Sequence, residues 1–175
     1  MKTYIALFRG INVGGKHILP MKDLKSILAN MGCEDVKTYI QSGNVVLRSS
    51  KQVDELAAEI GARIMQGFGF EPMVWLFELK ELQDAIASNP FSTEVGNALH
   101  FFFLDEEPKS VDWEKMNTLK AETEDFKLHK KVFYLYAPEG IGRSRLVEKL
   151  GQCIRNPMTA RNWNTVRKLV ELVEG

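Results

Sequence analysis

Apolar residues change their spacing along this chain, and each change marks an element. "TYIALF" (3–8) is an apolar run too short for a helix and closed by Gly10, which predicts a buried strand. Pro20 suits a first helical position. Met21, Leu24, Ile27, Leu28 and Met31 then follow at helical spacing, and Gly32 supplies a left-handed stop. In "EDVKTYIQSGNVVLRS" (34–49), strand-forming residues flank Ser42-Gly43-Asn44, which predicts an antiparallel hairpin. Val53, Leu56, Ala57, Ile60, Ile64 and Phe68 form the apolar stripe of a second helix ending near Gly67 or Gly69. "FEPMVWLF" (70–77) returns as a strand, with Pro72 at its start or on an edge.

Strand, helix, strand, strand, helix, strand is the split βαβ, ferredoxin-like order. Leu79, Leu82 and Ile86 predict a linking helix stopped by Asn89-Pro90. The second half repeats the theme. "LHFFFL" (99–104), "DFKLH" (125–129) and "VFYLYA" (132–137) read as strands, with helices marked by Trp113, Met116, Leu119 and by Leu146, Val147, Leu150, Ile154. In place of a strand as sixth element, "RNPMTARNWNT" leads into a last helix with Trp163, Val166, Leu169, Val170 and Val173 on one face. The expected fold is α+β, with two pseudo-repeated ferredoxin-like (βαββαβ) halves, antiparallel sheets and a C-terminal helix. The expected divisions are 1–77, a linking helix and loop over 78–97, and a second, rearranged half over 98–175.

At 175 residues the chain is long enough to bury about 70% of its unfolded surface without metal or disulfide. Its net charge is zero, so bulk electrostatics points to no polyanion partner. The zero hides an asymmetry: residues 139–168 carry a local +5 and residues 104–125 a local −5. Two solvated segments that offset each other account for this. The two cysteines, Cys33 and Cys153, fall in structural positions and read as reduced thiols. No window reaches 18 apolar residues and the N-terminus lacks a signal-peptide pattern, so a cytoplasmic protein without membrane contact is expected.

The candidate chemistry begins in "RGINVGGKHILP" (9–20). Gly10, four residues, then Gly15-Lys16 is the spacing of a phosphate-cradling loop. Three features oppose that reading. Pro20 starts the helix late, whereas the cradle needs backbone N–H groups at a helix N-terminus directly after the lysine. His17 stands where a Ser or Thr hydroxyl would hold Mg²⁺. The hairpin at "QSGN" denies the parallel crossover. A long glycine-hinged loop is expected instead.

In "APEGIGRSRL" (137–146), Ser144 reads as a helix N-cap with Arg143 and Arg145 beside it. Cations oppose the helix dipole there, and a bound anion would remove the conflict. "TARNWNT" (159–165) gathers more polar groups than capping needs, with Trp163 in register with the apolar face. His17, His100 and His129 are isolated from other ligand-forming residues, so no metal site is read, and no cofactor motif is present. No nucleophile elbow or Cys–His signature marks a catalytic centre.

Taken together, "YIALFRGINVGGKHILPM", "YIQSGNVV", "NPF" (89–91), "PEGIGRS" (138–144) and "TARNWNTVRKL" (159–169) resemble, in order, the signatures of the bacterial family catalogued as domain of unknown function 1697. The resemblance implies a compact α+β protein of two ferredoxin-like halves and no assigned activity. It places Arg9, Asn12, Lys16, Gln41, Ser42, Asn44, Arg161, Asn162 and Trp163 in signature stretches.

Three functional readings follow. In the first, Arg9, Asn12, Lys16, Gln41, Ser42, Asn44, Arg143, Arg161 and Asn162 line a cleft between the halves. There they bind an anionic ligand: a nucleotide, a phosphometabolite or a nucleic-acid backbone. RNA recognition on the central strands is less supported, because "NVVLRS" offers no aromatic platform. In the second, an enzyme acts on a phosphorylated small molecule with Lys16 or an arginine as clamp, although no base is identified. In the third, the signature residues are folding devices, with Asn12 and Asn162 satisfying buried backbone groups. The sequence assigns no oligomeric state.

Overall fold

The computed structural model describes residues 1–175 as two compact units, Met1–Asp84 with Lys168–Gly175, and Ala85–Arg167. The first unit contains β1 (Lys2–Arg9), α1 (Met21–Asn30), β2 (Glu34–Tyr39), β3 (Asn44–Ser49), α2 (Val53–Phe68) and β4 (Met73–Glu78). Its sheet runs β2-β3-β1-β4 with every neighbouring pair antiparallel. The linking helix α3 (Leu79–Ala87) follows β4 directly.

Local chemistry sets the boundaries. Pro20 stands immediately before α1, and Gly32 takes φ +83 after it. α2 closes on Gly69 at φ +77, whose N–H donates to the Met65 carbonyl. Between β2 and β3 the chain reverses through Ile40 (φ +49) and Gly43 (φ +81). A β-branched residue at positive φ is strained, so Ile40 marks a tension in the hairpin tip. On one face of the sheet Tyr4, Ala6, Phe8, Val45 and Leu47 pack with Leu24, Leu28, Leu56, Ile60 and Ile64. On the opposite face Ile5, Leu7, Val46, Trp75 and Phe77 are buried too.

The second unit contains β5 (Leu99–Leu104), α4 (Trp113–Leu119), β6 (Asp125–His129), β7 (Val132–Tyr136), a 3-10 turn (Ile141–Arg143), α5 (Arg145–Cys153) and β8 (Met158–Asn162). Its sheet order, β6-β7-β5-β8, repeats that of the first unit strand for strand. The expectation of a rearranged half without its closing fourth strand is therefore overturned. β8 pairs with β5 from Leu104↔Met158 to His100↔Asn162. As an edge strand it bonds to one neighbour only, so it needs no continuous apolar run. "MTARN" buries Thr159 alone and otherwise reads as loop. The core of this unit gathers Phe102, Leu104, Phe133 and Leu135 with Met116, Leu146 and Leu150.

The expected C-terminal helix is α6 (Trp163–Glu174). Its residues from Lys168 onward group with the first unit, where Lys37 Nζ donates to the Leu172 carbonyl (2.8 Å). Cys33 and Cys153 are buried free thiols. No helix is long and apolar enough to cross a membrane.

Candidate functional site

The segment that mimics a phosphate loop is a miniature hairpin. Lys16 N–H donates to the Val13 carbonyl and Asn12 N–H to the His17 carbonyl, each at 3.0 Å. Gly14 and Gly15, the central residues, have φ of +59 and +72. Two successive positive φ values define a type I′ turn, which glycine accepts without steric cost. Lys16 lies on the returning arm of that turn, and α1 starts only at Met21. No helix terminus aims N–H groups at a ligand on Lys16.

Asn12 fastens this small hairpin to the larger one. Its Oδ1 accepts from Leu19 N–H (2.7 Å), and its Nδ2 donates to the carbonyls of Leu19 (2.9 Å) and Gln41 (2.8 Å). Both amide hydrogens are therefore committed, and Asn12 has no donor left for a ligand. The loop after β1 and the β2–β3 turn meet because β1 and β3 are antiparallel neighbours. Leu7 faces Asn44, so the end of one strand lies beside the start of the other. Phe8 N–H donates to the Gly43 carbonyl (2.9 Å). A Cβ on Gly43 would lie 2.6 Å from Phe8 Cβ and 2.7 Å from Ile11 Cδ1, so only glycine fits. Asn44 is wholly buried, and its Nδ2 donates to the Tyr39 carbonyl (3.1 Å) and Ser42 Oγ (3.0 Å). It shapes the turn from within.

Arg9, Lys16, Gln41 and Ser42 remain at this end of the sheet with exposed side chains. The structure adds a residue that the sequence reading set aside. His17 stacks on Phe70, with ring centroids 4.5 Å apart and planes 15° apart, and its Nδ1 lies 2.9 Å from the Gly10 carbonyl oxygen. Phe70 arrives from beyond α2, so no local pattern could announce the pair.

Arg143, Arg161 and Asn162 belong to the second unit. β7 and β8 both run antiparallel to β5, so both end beside its start, and these residues lie at or beyond those ends. Arg143 is exposed in the 3-10 turn. Ser144 caps α5 as expected, with Oγ accepting from Val147 N–H (3.1 Å). Arg161 Nη1 donates to Thr159 Oγ1 (2.9 Å) and the Ala160 carbonyl (2.8 Å), and burial pushes the guanidinium down to about 10. Asn162 Oδ1 accepts from Thr165 N–H (3.0 Å) and so caps α6. His100, across the ladder from Asn162, is buried with Nδ1 unpartnered. No group of three or more His, Cys, Asp or Glu side chains is placed to hold a metal ion.

The model of a family described as "Protein of unknown function (DUF1697)" matches residues 1–134. The chain belongs to that family. All six first-unit candidates of this DUF1697 protein lie inside the matched stretch, whereas Arg143, Arg161 and Asn162 lie beyond it. Among solved structures it is similar to the conserved bacterial protein SP0830 from Streptococcus pneumoniae, with 23% identity, 98% of each chain covered and a TM-score of 0.73. At that identity the likeness is one of fold. No match was found among curated proteins.

Proposed function

We propose that this DUF1697 protein is a binding module for an anionic ligand, held by Arg9 and Lys16 with Gln41 and Ser42 beside them. One observation carries the reading. The Asn12 amide ties the loop after β1 to the hairpin tip at Gln41, so exposed cationic and polar side chains stand on backbone that is already held. Pre-organisation lowers the ordering cost of binding. A nucleotide, a phosphometabolite and a nucleic-acid backbone share the phosphate such a site would grip.

Calorimetric titration with pyrophosphate at low salt tests it. Saturable binding is expected, weakened roughly tenfold by Lys16→Ala or Arg9→Ala and falling with added salt. At 100 times Kd the ligand should stabilise the fold by about 2.7 kcal/mol. Absence of pyrophosphate binding at low salt removes the proposal.

A second reading has its own observation. Asn12, Asn44 and Asn162 direct their side chains to backbone groups or turn neighbours, as folding devices would. If Lys16→Ala and Arg9→Ala change no ligand response while Asn12→Ala lowers stability, this reading prevails. We place the protein in the reducing cytoplasm, supported by its two buried free thiols. Recovery from an oxidising, exported fraction would contradict that placement.

A further inference from the structure

We infer that His17 is a stacking platform for a planar base, so the ligand class is a nucleobase carrying phosphate, whether a free nucleotide or a single-stranded nucleic acid. The inference rests on the anionic-ligand reading above and narrows it.

Two contacts hold the ring, and a third holds its backbone. A carbonyl oxygen can only accept, so the contact between Nδ1 and the Gly10 carbonyl places a hydrogen on Nδ1. Phe70 stacks against one face. The backbone stands at φ +50, and its carbonyl accepts from Asn12 N–H. His17 is nevertheless exposed. With Phe70 stacked on one face, a base would meet the ring on the other. An oriented aromatic plane with one open face is what base stacking requires, and every base offers a π-face to it.

The surroundings fit the same ligand. Lys16 precedes the ring in the chain, and Gly10, which it bonds, follows Arg9. Val13, Ile18 and Ile40 are exposed by 67%, 55% and 52%, and they belong to the same loop and hairpin tip. A bare phosphate gains nothing from an apolar surround, whereas a base loses water against it. With the hydrogen on Nδ1, Nε2 would be the ring nitrogen that accepts a hydrogen bond from a base.

The test compares ligands that share a phosphate and differ in the base. The full-length protein is titrated at low salt with ribose 5-phosphate, adenosine 5′-monophosphate and a ten-residue oligoadenylate. His17→Ala and His17→Phe variants are titrated in parallel, after thermal melting confirms that each is folded. The expected result is roughly tenfold tighter binding of the two base-bearing ligands than of ribose 5-phosphate. That surplus should vanish in His17→Ala and return in His17→Phe. Preference for the oligonucleotide over the monophosphate identifies a nucleic-acid source, and equal affinity identifies a free nucleotide. Equal binding of all three ligands overturns the base platform and leaves the anion reading standing. A surplus that survives His17→Ala also overturns it. No binding of any ligand overturns both.

Discussion

Asn12 and Leu19 hold each other through two opposed hydrogen bonds. Leu19 N–H donates to Asn12 Oδ1 at 2.7 Å, and Asn12 Nδ2 donates to the Leu19 carbonyl at 2.9 Å. A side-chain amide here stands in for a strand partner, pairing with a peptide unit as a ladder would. It lets the chain leave β1, make a tight turn and enter α1 without orphaning the Leu19 backbone. Asn12→Ala breaks this pair and the bond to Gln41 together. A loss of about 2–3 kcal/mol is expected, or roughly 5–10 °C in Tm. Asn12→Asp keeps the acceptor and turns a carboxylate toward two carbonyls, so it should cost at least as much. Faster amide exchange at Leu19 in both variants would locate the damage.

Gly43→Ala is expected to cost about 3 kcal/mol, from a left-handed backbone and a close approach to Phe8 and Ile11. Chemical denaturation reads this directly. A variant as stable as the parent would mean that the hairpin tip can move away from β1.

Ile40 carries the opposite expectation. Its φ of +49 suits asparagine better than a β-branched residue. Ile40→Asn should therefore stabilise by about 1 kcal/mol. If Ile40 also belongs to the ligand surface, the same variant should bind base-bearing ligands less tightly, a trade common at functional loops.

His100 and Tyr134 should shape stability at opposite ends of the pH scale. Burial lowers His100 from 6.5, partly opposed by the Ala98 backbone. Below 6.5 the unfolded chain therefore takes up the proton more readily than the folded one. Stability is full above that value and declines as pH falls through it. His100→Leu should flatten this decline in acid denaturation curves. Tyr134 donates to the Ala85 carbonyl at 2.5 Å, and burial pushes it up to about 12. Between about pH 10 and 12 the unfolded chain loses that proton first, so stability should fall as pH rises. Tyr134→Phe should remove the high-pH decline in an alkaline denaturation series.

Cys33 and Cys153 are buried, and burial raises both thiols. At Cys33 a hydrogen bond with Ser49 and the charge of Lys51 act in the other direction without cancelling the rise. Both should react slowly with a thiol reagent in the native protein and rapidly in denaturant. Fast native labelling at either would show local opening of its core.

The amino-acid sequence by itself determined every element that rests on neighbours in the chain. β1 follows from "TYIALF", the ends of α1 from Pro20 and Gly32, the hairpin from Ser42-Gly43-Asn44, and the cap of α5 from Ser144. Apolar periodicity, turn chemistry and capping act over a few residues and can be read there. Tertiary structure alone decided what joins distant segments. "MTARN" became a strand because β5 offered an unpaired edge. Asn12 found Gln41 through the antiparallel arrangement of β1 and β3, and His17 found Phe70 from beyond α2. Backbone hydrogen bonds and ring contacts between remote residues leave no periodic trace. The candidate cations and Asn12 could therefore be named in advance, while the partner Asn12 takes at Gln41 and the stacking of His17 on Phe70 could not.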